Sequence, residues 1–489
     1  MKENYLKNVC LKELNLSDNF ENLLISNLNF EQLIAVKNLN GNFLVLAGAG
    51  SGKTRVIIYR ALLLLKLQIP PKNILILTFT RKAINEIKER IQAFIPDSNI
   101  NIETFHSLAY RSLKKYTQNK NFQILNSDNA LEFANSSTYY AQISKFLTKD
   151  EIIKCTTSIK DRYTKSIFFK SLNKTSKNIL LNFFNDINLR KKQTNFYTFD
   201  DLLNEFYKYL HLNIIPTDFK YIMIDEYQDT DNIQIEILKI LSKNSFIMAV
   251  GDDYQSIYSF KGSSTANILN FSNDFRDSKT FILKENYRCS KNILNLSNEF
   301  SKCLRYSFRK TLTTQNISNS FPILNIFKTH TEEINFIISR IKNILSSDSS
   351  ANIVILFRNY IYMENSIKLF KKNNLIFNIT QNPFLENIFK NLDLNESSQI
   401  TLSTIHSSKG LEWDYVFVPL LLDGIIPTSI GTDINIEEEK RLFYVAITRA
   451  KKELILTYPL SFYNSYGLFS ASSPFIDNID SNFFNIKRG

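Results

Sequence analysis

Cysteine is scarce and scattered: Cys10, Cys155, Cys289 and Cys303 form no CxxC pair. This excludes a disulfide framework and a zinc or iron–sulfur cage, and it fits a reducing compartment. Long apolar runs are also missing. The longest, at 61–65 and 416–422, are core-sized and well below the roughly 18 residues that span a bilayer, so no membrane segment is expected. The N-terminal MKENYLKNVCLKEL mixes Lys with Glu and has no apolar centre, unlike a secretory or transit signal, which points to a cytoplasmic protein. No solenoid-type repeat is present. Acidic residues fall short of basic ones, 47 against 59, for a net charge of +12. That balance favours a polyanionic partner, although an AT-rich genome yields the same excess of Lys, Asn and Ile.

What the chain does contain is ordinary core material. With 489 residues, 44% hydrophobic and 22% charged, it is globular and long enough for about three domains. Short apolar runs recur between helical patterns: FLVLA at 43–47, ILIL at 74–77, YIMID at 221–225 and FIMAV at 246–250. A second series has NIVILF at 352–357, YVFV at 415–418 and ELILT at 453–457. Continuous apolar strands alternating with helices predict an α/β protein with two parallel sheets, each covered on both faces. Between the series, Ile334, Ile337, Ile338, Ile341 and Leu345 mark a helix opened by Thr331, with a Ser-rich loop at 346–352 after it. From 107 to 195 the pattern is helical and rich in Lys, Asn and Ser, as in a helical insertion.

The strongest motif is AGAGSGKT, comprising Ala47, Gly48, Ala49, Gly50, Ser51, Gly52, Lys53 and Thr54, set between a strand and a helix. In a P-loop the backbone N–H groups close around phosphates, the Lys reaches the β/γ oxygens and the Thr hydroxyl holds Mg²⁺. The strict pattern has Gly where this chain has Ala47. A second signal is Asp225-Glu226 at the end of the YIMI strand. A carboxylate there can hold Mg²⁺ opposite the P-loop, and its neighbour can orient or deprotonate an attacking water.

Further motifs follow in order: LNFEQ with Gln32, TFTRKAINEIKERI at 78–91, TFHSLAYRSL at 104–113, TFDDLL at 198–203 and DEYQDTDNIQ at 225–234. VGDDYQSIYSFKGS at 250–263, LKENYRCSKNIL at 283–294, TLSTIHSSKGLEWDYVFV at 401–418 and EEEKRLFYVAITRAKKEL at 437–454 complete the set. Over almost its whole length the sequence resembles the UvrD/Rep/PcrA-like superfamily 1A DNA helicases.

The resemblance implies an α/β fold of two RecA-like P-loop domains, ATP and Mg²⁺ as cofactors, and a role for each matching residue. Gln32 reads adenine, Tyr287 stacks on it and Arg55 adjoins the nucleotide. Lys53, Thr54 and Asp225 hold phosphate and Mg²⁺, Glu226 is the base, and Gln255 senses the γ-phosphate. Arg288 and Arg449 reach across as arginine fingers. Phe79, His106, Tyr258, Phe260, Arg358 and His406 line a single-strand groove. Thr78, Thr104 and Thr404 hold backbone phosphates there, Lys261 lies beside Phe260, and Glu412 contacts sugar. Taken alone, Phe79 and Phe260 read as core residues, and His106 and His406 have no neighbours at metal-ligand spacing.

The implied layout is a first core at 1–106 and 196–282, a helical insertion at 107–195, and a second core at 283–377 and 400–489. The short connector 378–399 replaces the family's accessory subdomain, and too little follows the last strand for a further C-terminal domain. Another departure is Phe260-Lys261-Gly262 where the family has Trp-Arg-Gly, and Lys lacks the planar fork of Arg. The implied activity is 3′-to-5′ translocation on single-stranded DNA and unwinding at single-strand/duplex junctions, by a monomer acting in replication, repair or recombination, with or without protein partners. Two alternatives stay open: a motor subunit of a larger complex, and an ATP-switched DNA-binding protein.

Overall fold

The computed structural model describes residues 18–117, 121–157, 167–259, 262, 265–318, 320–380, 398–429, 435–464 and 467–488. The expected site residues Phe260 and Lys261 lie outside them, as does most of the connector.

Two sheets built from parallel strands organise the chain. The first runs in the order Asn101–Glu103, Ile74–Leu77, Tyr221–Ile224, Phe246–Gly251, Phe43–Ala47, Lys279–Leu283. Alternation along each strand sorts its side chains between two cores. Phe43, Val45, Ala47, Ile74 and Ile76 face one side with Val56, Ile57 and Leu62 of the helix Lys53–Lys66. Leu44, Leu46, Leu75, Leu77 and Ile222 face the other, against Leu203, Phe206 and Leu238. Burial on both faces is why these strands read as unbroken apolar runs.

The second sheet is ordered Asn378–Ile379, Ile400–Thr404, Ile353–Phe357, Trp413–Val418, Ala450–Asn464, Ile323–Thr329, Asn485–Arg488. Gly467–Phe469 folds back antiparallel on the end of Ala450–Asn464. The strand expected at 453–457 is therefore the middle of a much longer one, and the segment 378–399 opens with an edge strand paired to Thr401 and Leu402. The helix His330–Ser347 is capped by Thr329, whose hydroxyl accepts from Glu332 N, so it starts ahead of the expected Thr331 and ends inside the expected Ser-rich loop. Glu332 reciprocates by accepting from Thr329 N, and this capping box fixes the start.

The insertion has its own small core of Ile143, Leu147, Ile152, Leu180, Phe183 and Ile187. A parallel pair, Gln123–Ile124 with Phe196–Tyr197, closes its neck. The boundary expected at 107 falls inside the helix Phe105–Tyr116, whose Phe105, Leu108, Ala109 and Leu113 stripe packs on the first sheet instead. No helix among the described residues is long and apolar enough to cross a membrane.

Candidate nucleotide cleft and strand groove

The P-loop leaves the first sheet at the carboxyl end of Phe43–Ala47 and turns into the helix Lys53–Lys66. Gly50 sits at φ +65°, and a Cβ there would come within 2.7 Å of Arg288 Cβ from the second core. Glycine is thus required for conformation and for close approach of the opposite wall. Tyr287 N donates to Gly50 O at 2.9 Å, and buried Asn286 donates through Nδ2 to Ala49 O at 2.5 Å. The second core is stitched directly to the loop. Ser51 closes the turn by donating to Gly48 O.

Gln32 is fully buried below the loop. Its Oε1 accepts from Asn29 N at 3.1 Å and its Nε2 donates to Ser51 O at 2.9 Å. The carboxamide expected to read adenine thus spans a helix cap and the P-loop backbone. Half-exposed Tyr287 lies near the cleft mouth with the Arg55 guanidinium 5.6 Å from its ring centre, and its hydroxyl donates to Glu285.

Lys53 Nζ donates to Glu226 Oε2 at 3.0 Å, and Thr54 Oγ1 lies 3.5 Å from Asp225 Oδ2. Burial alone would lower the Lys53 ammonium, but Glu226, Asp252 and Asp225 outweigh it and hold it above its ordinary value. Burial, then the neighbouring Glu226, pushes Asp225 up to about 7. Glu226 moves the other way: burial opposes ionisation, yet Lys53 and Lys409 bring it down to about 2. Two adjacent carboxylates therefore have separate characters. Gln228, not assigned from sequence, donates to Glu226 Oε2 and accepts from Asp252 N.

The second core contributes two guanidinium groups. Arg288 Nε donates to Glu412 Oε2 at 2.7 Å and its Nη1 to Thr448 O. Arg449 is fully buried, and its Nη2 donates to Gln255 Oε1 in the first core at 3.2 Å. Burial and nearby Arg288 lower the Arg449 guanidinium to about 9, which leaves it charged at neutral pH. These groups line an open cleft of about 610 Å³ with Gly50, Lys53, Thr54, Glu226 and Lys451. Glu412, expected to touch DNA sugar, is here, held by Arg288 and by Lys451 at 2.8 Å. The two cations hold it at the wall of this cleft.

The remaining groove candidates divide. Thr104 and Thr404 accept from Ser107 N and Ser407 N, so Thr104 caps the helix Phe105–Tyr116 and Thr404 a local turn. Thr78 is buried, and its N–H extends the sheet by donating to Glu103 O. Phe79 is half-buried with its ring 6.3 Å from that of Phe105. Arg358 is forked on Glu439, with Nε donating to Oε2 at 3.0 Å and Nη2 to Oε1 at 2.5 Å. The bidentate partner inside the second core holds it there. His106 meets Phe199 edge to face at 5.2 Å, and burial lowers its pKa. Phe199, 50% exposed at the start of the helix Phe199–His211, was not singled out from TFDDLL. Tyr258 carries the Lys409 ammonium 4.8 Å from its ring centre, and His406 is half-buried. Lys409, also missed, donates to both Asp229 oxygens at 2.7 Å, joining the cores across a dry contact.

Residues 28–276 match the UvrD/REP helicase N-terminal domain, and residues 281–392 and 377–461 match the UvrD-like helicase C-terminal domain. The chain is 32% identical over 371 residues to the ATP-dependent DNA helicase PcrA of Staphylococcus epidermidis strain RP62A, covering 72% of this chain and 51% of that protein. The PcrA of Staphylococcus aureus strain Mu50 is 32% identical over 370 residues, with the same 72% and 51% coverage. The chain thus spans about half the length of these relatives. With both family domains matched in sequence order along the two sheets, the chain belongs to the UvrD/REP helicase family.

Proposed function

We propose that the chain is an ATP-dependent DNA translocase and helicase that moves 3′ to 5′ on single-stranded DNA and opens duplex at junctions, in replication, repair or recombination. The observation that carries this reading is the hydrogen bond between Arg449 and Gln255, which ties the second core to the catalytic wall of the first. In the proposed cycle Lys53 exchanges Glu226 for the β/γ oxygens of ATP. That frees the Glu226 carboxylate to orient the attacking water and take its proton. Arg288 and Arg449 meet the γ-phosphate from the opposite side, so bound ATP favours closure and hydrolysis releases it. The donor set fits Mg²⁺: the Thr54 hydroxyl and the buried Asp225 carboxylate are hard oxygen ligands side by side, and Mg²⁺ bound there would offset charge on the phosphates. Tyr287 and Arg55 take the base between them, while Gln32 supports the loop from below.

We assign the strand groove to Phe79, His106, Phe199, Tyr258 and His406, with Phe260 and Lys261 following Tyr258 in sequence. Aromatic faces stack on any base, which suits a motor indifferent to sequence. The first core comprises the sheet with the helix Phe105–Tyr116, the insertion follows it, and the second core begins near 283. ATP turnover with and without single-stranded DNA, followed by unwinding of 3′-tailed and 5′-tailed duplexes, tests the proposal. Turnover stimulated by DNA and unwinding from the 3′ tail support it; DNA-independent turnover or 5′-tail preference contradicts it.

A further inference from the structure

Lys310 lies outside every recognised motif, on the segment that follows the helix Lys291–Ser301. Its side chain is fully buried, as are those of Asp252 and Asp253 in the first core. The ammonium is 2.7 Å from Asp252 Oδ1 and 2.5 Å from Asp253 Oδ1, and 4.0 Å from the Tyr254 ring centre. The second oxygens of both carboxylates are also engaged. Asp253 Oδ2 accepts from Phe308 N at 2.7 Å, and Asp252 Oδ2 accepts from Gln255 Nε2 at 2.6 Å. Gln255 Oε1 in turn accepts from Arg449 Nη2.

The Gln255 carboxamide is consequently fixed at both ends. Its nitrogen can face only an acceptor, Asp252, and its oxygen only a donor, Arg449. Asp252 keeps that acceptor character in a dry site because Lys310 balances its charge. Without the ammonium, two buried carboxylates face each other. One of them then takes a proton or turns away, and the acceptor that orients Gln255 is lost. The same segment keeps close company with the P-loop, since a Cβ on Gly48 would lie 2.4 Å from Leu312 Cδ2. Lys310 therefore sits where the second core bears on the catalytic wall.

We propose that Lys310 is a positioning residue that acts on ATP turnover through Asp252 and Gln255, holding the Gln255 amide toward Arg449 and the γ-phosphate. This rests on the reading of Gln255 given above. The test is steady-state ATP turnover of the full chain at saturating oligo(dT), for Lys310→Met, Gln255→Ala and the double variant. Gln255→Ala is expected to lower kcat about tenfold or more. Lys310→Met is expected to lower kcat about tenfold with KM for ATP within about twofold, and the double to fall within about twofold of Gln255→Ala alone. If Gln255→Ala turns over like the unaltered protein, the Gln255 reading itself fails. If Gln255→Ala is slow but Lys310→Met costs a further tenfold in that background, or changes KM and not kcat, the Lys310 proposal is overturned and the Gln255 reading stands. Should Lys310→Met fail to fold, Asp252→Asn replaces it in the same cycle under the same criteria. Whichever way its amide turns, a donor then faces either Lys310 Nζ or Gln255 Nε2.

Discussion

Arg449 Nη2 and Gln255 Oε1 meet at 3.2 Å although 194 residues separate them in the chain. The contact carries the guanidinium to the wall of the first core that also presents Lys53 and Glu226. Arg449→Ala is expected to reduce DNA-stimulated ATP turnover by about 10³ or more while ATP binding, read by a fluorescent analogue, changes by less than about tenfold. A variant that binds ATP poorly and turns over at the ordinary maximal rate would contradict the assignment.

Lys53→Ala and Glu226→Gln both stop turnover, by different routes. Their side chains pair at 3.0 Å, and in the proposed cycle ATP takes Lys53 away from Glu226. Loss of Lys53 weakens nucleotide binding. Glu226→Gln keeps ATP bound and the cores closed, because only the group that takes the water's proton is gone. Equilibrium binding beside phosphate release separates the two, and normal phosphate release by Glu226→Gln would remove it as the base.

Glu412 belongs to the nucleotide cleft, paired with Arg288 and Lys451. Glu412→Gln is expected to shift kcat/KM for ATP by about fivefold or more and to leave single-strand affinity within about twofold. Anisotropy titration of labelled oligo(dT) decides it: weakened DNA binding with unchanged ATP kinetics would return Glu412 to the groove.

For Arg358 the forked pairing with Glu439 makes the first effect structural. Arg358→Ala leaves a nearly dry carboxylate behind and is expected to cost about 3 kcal/mol of stability, with Arg358→Ala plus Glu439→Ala costing less than the sum. Thermal unfolding measures this. Weaker DNA binding with an unchanged melting temperature would place Arg358 on the strand instead.

Phe199 is half in solvent, so Phe199→Ala leaves no core cavity. It is expected to weaken single-strand binding by about 1–3 kcal/mol without altering the salt slope, because stacking is lost and no phosphate contact goes with it. A changed slope, or unchanged affinity, would remove Phe199 from the groove.

How much of this could be read from sequence follows from how local each feature is. The P-loop, Asp225-Glu226 and the apolar strands are short continuous patterns, and the structure keeps them as such. What escaped involves partners far apart: Lys409 with Asp229, separated by 180 residues, and Lys310 with Asp252, separated by 58. Lys is ordinarily an exposed residue, and nothing near Lys310 or Lys409 in the chain announces a buried carboxylate. Glu412 is assigned to the groove by the resemblance alone, and its pairing with Arg288 and Lys451, 124 and 39 positions away in the same core, is not legible in its motif. Thr329 and Thr331 are equally good caps by type, and only the reciprocal bonds of Glu332 choose between them. The helix Phe105–Tyr116 joined the first core through its own apolar stripe, which Lys-rich neighbours obscured.

The proposed activity is that of a DNA-driven ATPase built across two cores, moving with one polarity. Its most direct test is the ATP turnover of the purified chain with single-stranded DNA present and absent, in parallel with unwinding of duplexes carrying either a 3′ or a 5′ tail. Turnover is expected to rise strongly with single-stranded DNA, with strand separation from the 3′-tailed substrate alone. Turnover indifferent to DNA, or strand separation from the 5′-tailed substrate, would contradict it.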